Sequence, residues 1–350
     1  NGHSISAKTG NFVFYITTGK LTLTGNGEIN GGGYAYGIIW NTANGTLKIE
    51  DDVVLQNNAA GGSGNGGAIY NAGNFIMDGG SIKDTSAGWG GAVSNAGTFT
   101  MNDGAISGTS VTNFGGAVYN TGKFEITGGV ISDTTADYYG GAVYNSGTFE
   151  MSGGRIDKCG TTESSGYGGA VYNASGTMTM TDGTIFNCTT SRGGGGVHLE
   201  AGALVMNGGT IELCETTGHY SDWSGDKSSL GGGGVSVRSG AEFTMKDGLI
   251  WKNKTTGGDD GGGIGNDGTF TMAGGQVIMN ETSTEGYSGD GGGVNNTGKM
   301  NMSGGMIAKN IGLGGIHSGN KTAEITITGG AVFENYALKI FGEDVPEESK

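Results

Sequence analysis

Gly115-Gly116-Ala117-Val118-Tyr119-Asn120 is the stretch that decides the fold, because the chain repeats it. Close copies stand at Gly66-Gly67-Ala68-Ile69-Tyr70-Asn71, Gly140-Gly141-Ala142-Val143-Tyr144-Asn145 and Gly168-Gly169-Ala170-Val171-Tyr172-Asn173. Weaker copies carry Ile39, Val93, Val197, Val235, Ile264, Val294 and Ile316 at the same aliphatic position. A fixed period of this size is the mark of a solenoid built from one supersecondary unit.

Two further phrases follow each copy. The second is Phe99-Thr100-Met101, Phe124-Glu125-Ile126 or Phe149-Glu150-Met151, with apolar residues two apart. That spacing puts both on one face of a strand. The Gly-Gly or Asp-Gly that comes next supplies a turn. The third is an aliphatic residue with a small or polar one three later. It runs from Val54/Asn57 and Ile82/Thr85 through Ile156/Cys159, Ile185/Cys188 and Ile211/Cys214 to Val332/Asn335. Three short strands per period, each stacked on its equivalent about 4.8 Å away, predict an all-β fold. It is a right-handed parallel β-helix (solenoid) of about eleven three-strand coils, the hand following from the twist of parallel crossovers. Residues 1–31 are expected to form an N-terminal cap and first strands, 32–335 the repeats, and 336–350 a C-terminal cap and the start of a linker. Phe12-Val13-Phe14-Tyr15-Ile16 and Tyr336-Ala337-Leu338-Lys339-Ile340-Phe341 are the segments expected to cover the two ends.

Composition agrees. The chain holds 79 glycines but one proline. With no glycine at every third residue, this is not collagen. Hydrophobic residues make up 34% and recur at fixed offsets, so a core can form. A net charge of −15 argues against nucleic acid and anionic membranes as partners. No apolar run is long enough to insert in a bilayer as a helix.

The Gly-Gly-Ala-Ile/Val phrase resembles the repeats of the chlamydial polymorphic outer-membrane proteins. It is similar also to adhesin-like proteins of gut bacteria and methanogens. Val332-Phe333-Glu334-Asn335 stands near the second motif of the chlamydial repeats in altered form. The resemblance covers roughly residues 32–335. It implies a pectin-lyase-like β-helix, exposed on a bacterial surface or secreted, that acts in adhesion as a monomer within a larger surface protein.

Stacking turns each repeated position into a row. Cys159, Cys188 and Cys214 fall in one slot, read as small buried side chains rather than as a disulfide or metal site. Asn41, Asn71, Asn95, Asn120, Asn145, Asn173, Asn266 and Asn296 form a second, structural row. Trp89, Phe114, Tyr139 and Tyr167 precede the alanine slot by three residues and should meet solvent. Trp40, Tyr70, Tyr119, Tyr144 and Tyr172 make another outward row, interrupted by Ser94. Flat aromatic faces with polar edges suit sugar rings or a protein surface. The period breaks once, with an inserted loop that carries Tyr220, Asp222 and Trp223, a candidate for specific recognition. Asp259, Asp260 and Asp290 lie before glycine runs, and stacked carboxylates there would suit calcium. No other cofactor is expected.

Enzymes of this shape need convergent carboxylates. Glu125 and Glu150 are the candidates, with strand spacing near that of retaining glycosidases but no recurring third partner. The expected function is therefore a non-catalytic adhesin-type domain recognising a glycan or a host surface protein. A polysaccharide lyase or glycoside hydrolase and a passive surface stalk are the alternatives.

Overall fold

The computed structural model describes residues 4–6, 12–33, 36–61, 66–218, 231–256, 261–282, 291–318 and 322–337. These residues form no helix. They make a right-handed parallel β-helix of about eleven turns, in which each strand pairs in parallel with its equivalent one coil on.

One coil shows how the phrases become structure. Val118–Asn120 is the first strand, Lys123–Ile126 the second and Val130–Ser132 the third, and Thr135–Ala136 turns the last corner. Register follows the phrases residue by residue. Val118, Tyr119 and Asn120 pair with Val143, Tyr144 and Asn145, and Phe124 and Ile126 pair with Phe149 and Met151. A strand alternates its faces, so Phe124 and Ile126 point into the core and Glu125 points out. The inward rows are sealed. Phe75, Phe99, Phe124 and Phe149 are fully buried, with successive ring centroids 4.4, 4.7 and 5.2 Å apart.

The glycines before each first strand serve a close approach. A Cβ on Gly116 would lie 2.0 Å from the Gly141 carbonyl oxygen of the next coil, so no larger residue fits that corner. Gly115 stands at φ +70, a conformation open to glycine at no steric cost.

In the first full coil, Leu55 pairs with Ile82 and Asn58 with Thr85. The inward pair there is Leu55/Asn58, not the expected Val54/Asn57. The cause is a doubled phrase: Val54-Leu55 and Asn57-Asn58 each offer two candidates one residue apart, and the strand pairing takes the second of each. Asn57 has φ 54, which swings Asn58 inward and leaves Asn57 on the surface, where it donates to Asn30. Every coil makes this turn one residue before the small-or-polar slot. Asp84, Asp133, Lys158, Asn187, Leu213, Lys252, Met279, Lys309 and Glu334 all have φ between 49 and 57, and Gly108 has φ 61. Left-handed backbone costs a non-glycine residue roughly 1–2 kcal/mol, least for Asn and Asp.

At the ends, Phe14–Leu23, within the segment expected to hold the N-terminal cap and first strands, pairs in parallel with Ile39–Ile49, with one register shift between Ile16 and Thr18. Tyr336–Ala337 pairs with Ile311–Gly312. Residues 338–341 lie outside the described residues.

Two buried polar ladders brace the corners. In the first, each asparagine amide donates to the asparagine carbonyl of the next coil. The Asn41–Asn71, Asn71–Asn95, Asn95–Asn120, Asn120–Asn145 and Asn145–Asn173 bonds are 2.7–2.8 Å long. Leu199 and Val237 interrupt the row, and Asn266–Asn296 resumes it. The bonds run one way, so the first member of each run keeps an unfilled acceptor, at Asn41 Oδ1 and Asn266 Oδ1. The second ladder holds the cysteines. All three are buried and free. Thr134 donates to Cys159 Sγ at 3.2 Å, and the Cys159 amide donates to Cys188 Sγ at 3.4 Å. The Cys214 amide donates to Asn253 Oδ1, from which Asn280, Asn310 and Asn335 continue the file. Burial pushes the Cys159 and Cys188 thiols well up. They are small core side chains, as the sequence predicts.

Asn120→Ala removes a middle rung and leaves Asn145 Oδ1 buried without its donor. We expect unfolding free energy to fall by about 2 kcal/mol in urea titrations. A loss below a few tenths would mean that the ladder adds nothing.

Candidate functional site

The repeated tyrosine slot is the middle residue of a first strand whose two neighbours point inward, so its ring stands outside the core. Stacking at strand spacing then sets ring upon ring. The row begins at Tyr15, which pairs with Trp40. Tyr15, Trp40 and Tyr70 stack at 6.3 and 4.1 Å. After Ser94 the row resumes as Tyr119, Tyr144, Tyr172 and His198, at 5.0, 5.5 and 5.1 Å and interplanar angles of 13–15°.

The residues just before the glycine pair form the second row. Phe114 pairs with Trp89 below and Tyr139 above, and Tyr139 with Tyr167. The glycine turn folds this row back across the first, one coil on. Trp89 stacks on Tyr119, Phe114 on Tyr144 and Tyr139 on Tyr172, at 5.7, 5.2 and 4.5 Å. Tyr167 lies 4.7 Å from His198, tilted by 45°. The two rows that the sequence lists separately are one interlocked staircase.

This corrects the expected geometry in two ways. Tyr172 is only 7% exposed, because Tyr139 covers it, and Tyr119 and Tyr144 are half-buried. The ring faces, expected to meet a sugar, lie against one another, and what the inner rings leave for solvent is their edges. Tyr15 at the lower end of the row, Trp89, and Tyr138 beside Tyr139, at 60%, 39% and 38% exposure, are the large aromatic surfaces offered outward there. Burial raises the phenols of Tyr119, Tyr139 and Tyr144, so all three stay neutral.

The upper end of the staircase is polar. His198 is fully buried, with Nε2 3.2 Å from Glu200 Oε2 and no partner at Nδ1. Burial lowers the His198 pKa, partly opposed by Glu200, while the His198 bond lowers that of Glu200. Arg192 donates to the Tyr167 hydroxyl at 3.3 Å and to the Ser164 carbonyl at 3.2 Å. Arg238 lies 3.6 Å from Asp267. His198 follows the aliphatic Val197 as the tyrosines follow theirs, and it pairs with Tyr172. Gly195-Gly196-Val197-His198 shows that it occupies the tyrosine slot. Arg192, Glu200 and Tyr138 lie outside the repeated phrases and carry no sequence signal.

The candidate carboxylates share one cation. Glu125 and Glu150 are neighbours, as expected, but the missing third partner is Lys123, 2.6 Å from Glu125 and 3.1 Å from Glu150. Lys123 pulls the Glu125 pKa down. A retaining glycosidase needs one of its carboxyls pushed the other way to donate a proton. Tyr220, Asp222 and Trp223, and the calcium candidates Asp259, Asp260 and Asp290, lie outside the described residues. Among the described residues no three His, Cys, Asp or Glu side chains converge as metal ligands.

No protein-family model matches the chain, and neither do curated proteins or solved structures.

Because burial disfavours charged His198, the stability it lends is complete above about pH 6.5, its ordinary pKa. It is lost as pH falls toward the lower folded value, where the unfolded chain binds the proton more tightly. His198→Phe should therefore flatten the fall in stability between pH 7.5 and 5, measured by urea unfolding at each pH. Equal pH slopes in the two proteins would contradict the burial of His198.

Proposed function

We propose that this chain is a non-catalytic binding module of adhesin type, displayed on a cell surface or secreted, and that its aromatic staircase recognises a protein surface. The observation that carries the reading is the ridge of Trp89, Phe114, Tyr138, Tyr139 and Tyr167, held rigid by stacking and lined by ring edges, a phenol and the Arg192 guanidinium. Trp, Tyr and Arg dominate the energetic centres of protein interfaces, since they bury large areas and lose little side-chain freedom. Pre-stacking removes even that cost here. A sugar ring would need an open aromatic face, and the inner rings have theirs closed by neighbours. Catalysis draws no support from Glu125 and Glu150, because Lys123 holds both.

The test is binding of labelled chain to cultured host cells, with and without surface proteolysis, run beside a glycan array. We expect protease-sensitive binding that Trp89→Ala and Tyr138→Ala each weaken about tenfold, a loss of roughly 1.4 kcal/mol. Binding that resists protease and follows one glycan would return the site to sugars. No binding to either would leave a passive stalk.

A further inference from the structure

A second surface stands apart from the staircase, at the corner that follows the third strand. The left-handed residues of successive coils form a column there. The Leu213 amide donates to the Trp251 carbonyl, that of Lys252 to Ile278 and that of Met279 to Ala308. Most positions of this column carry residues that suit the backbone or the solvent, such as Asn57, Asp84, Gly108, Asp133 and Asn187. Leu213 and Met279 suit neither. Their φ values are 54 and 56, and each is 41% exposed. They flank the coil that carries Trp251.

Trp251 occupies the outward column of the third strand, between Glu212 and Ile278. Its Nε1 donates to Met279 Sδ at 3.3 Å, and Lys252 Nζ lies 4.4 Å from its ring centroid. Leu213, Trp251, Ile278 and Met279 thus make one apolar patch over three consecutive coils. Local backbone preference and solvent exposure are both violated there by the same two side chains. Such coincident violations mark functional sites, because nothing in folding alone favours them.

Charge narrows the occupant. The chain has 33 acidic and 18 basic residues. Lys252, exposed on the patch, nevertheless has no carboxylate within ion-pair distance among the described residues. Its neighbours pair loosely, Lys254 with Glu281 at 3.9 Å and Lys309 with Glu334 at 3.8 Å. Two coil spacings make the patch roughly 10 Å long, which suits a few side chains of one extended segment. A stable dimer buries about 800 Å² per partner. We propose that Leu213, Trp251 and Met279, with Lys252, form a docking patch for a partner protein's peptide segment that carries apolar side chains beside carboxylates.

The experiment uses the full chain on an array of peptides matched in apolar content and graded from acidic to basic. Acidic apolar peptides should bind. Leu213→Asn and Met279→Asn should each weaken that binding about tenfold, and Leu213→Asn should also raise the melting temperature, since asparagine accepts the left-handed turn. A residue that served only the fold could not give more stability and less binding together. Lys252→Glu should abolish the preference for acidic peptides, and Trp89→Ala should leave binding unchanged, which separates this patch from the staircase. Equal binding of basic peptides, or binding that Leu213→Asn leaves intact, would overturn the proposal. Self-association that Leu213→Asn removes, seen by sedimentation in the absence of peptide binding, would assign the patch to a second copy instead and overturn it equally.

Discussion

Everything in this molecule depends on the parallel backbone ladder between coils. A strand spacing of about 4.8 Å sets equivalent residues directly over one another. A side chain therefore meets its own kind above and below. That one constraint selects what each position tolerates. Inward positions accept side chains that pack on copies of themselves, as Phe75, Phe99, Phe124 and Phe149 do. Buried polar positions accept asparagine, which carries a donor and an acceptor and so bonds to its own repeat in both directions. A row of like charges would repel at this spacing. Where Glu125 and Glu150 do meet, Lys123 lies between them.

The corners set the limits of this regularity. A coil closes only if the chain turns sharply, and here two kinds of turn do it. One uses glycine pairs, whose Cα atoms crowd the carbonyls of the next coil so closely that a Cβ has no room. The other passes one non-glycine residue per coil through left-handed backbone. The first turn swings Trp89, Phe114 and Tyr139 over the tyrosines of the following coil and so builds the staircase. The second presents a column of side chains at an edge, and its cost makes the apolar residues Leu213 and Met279 stand out.

The same geometry shapes what the surface can do. Rings stacked by the ladder cannot also stack on a ligand, so an aromatic row is a rigid ridge of edges rather than a set of open platforms. His198 closes one end of that ridge without charge, because stacking on Tyr172 and Tyr167 removes it from water. Binding on such a scaffold needs little ordering on association, which lowers its entropic cost.

The chain's period, strand phrases and small-residue slots were legible as sequence, because a solenoid writes each structural demand eleven times over. The β-helix, its inward rows, the asparagine and cysteine files and most members of both aromatic rows follow from that repetition, while Tyr15 and His198 join the tyrosine row only in the structure. What only the tertiary structure decided depends on turns rather than on period. The choice of Leu55/Asn58 over Val54/Asn57 as the first inward pair has no periodic signature, because both pairs fit the phrase. Nor does the fold-back that merges Trp89, Phe114 and Tyr139 with the tyrosine row and closes their faces. Arg192 lies outside the repeated phrases, and only contact between coils, 25 residues apart in sequence, brings it to Tyr167. Repetition is a local property that a string of letters records, whereas the direction of a corner is a backbone property that becomes visible only when the coils are stacked.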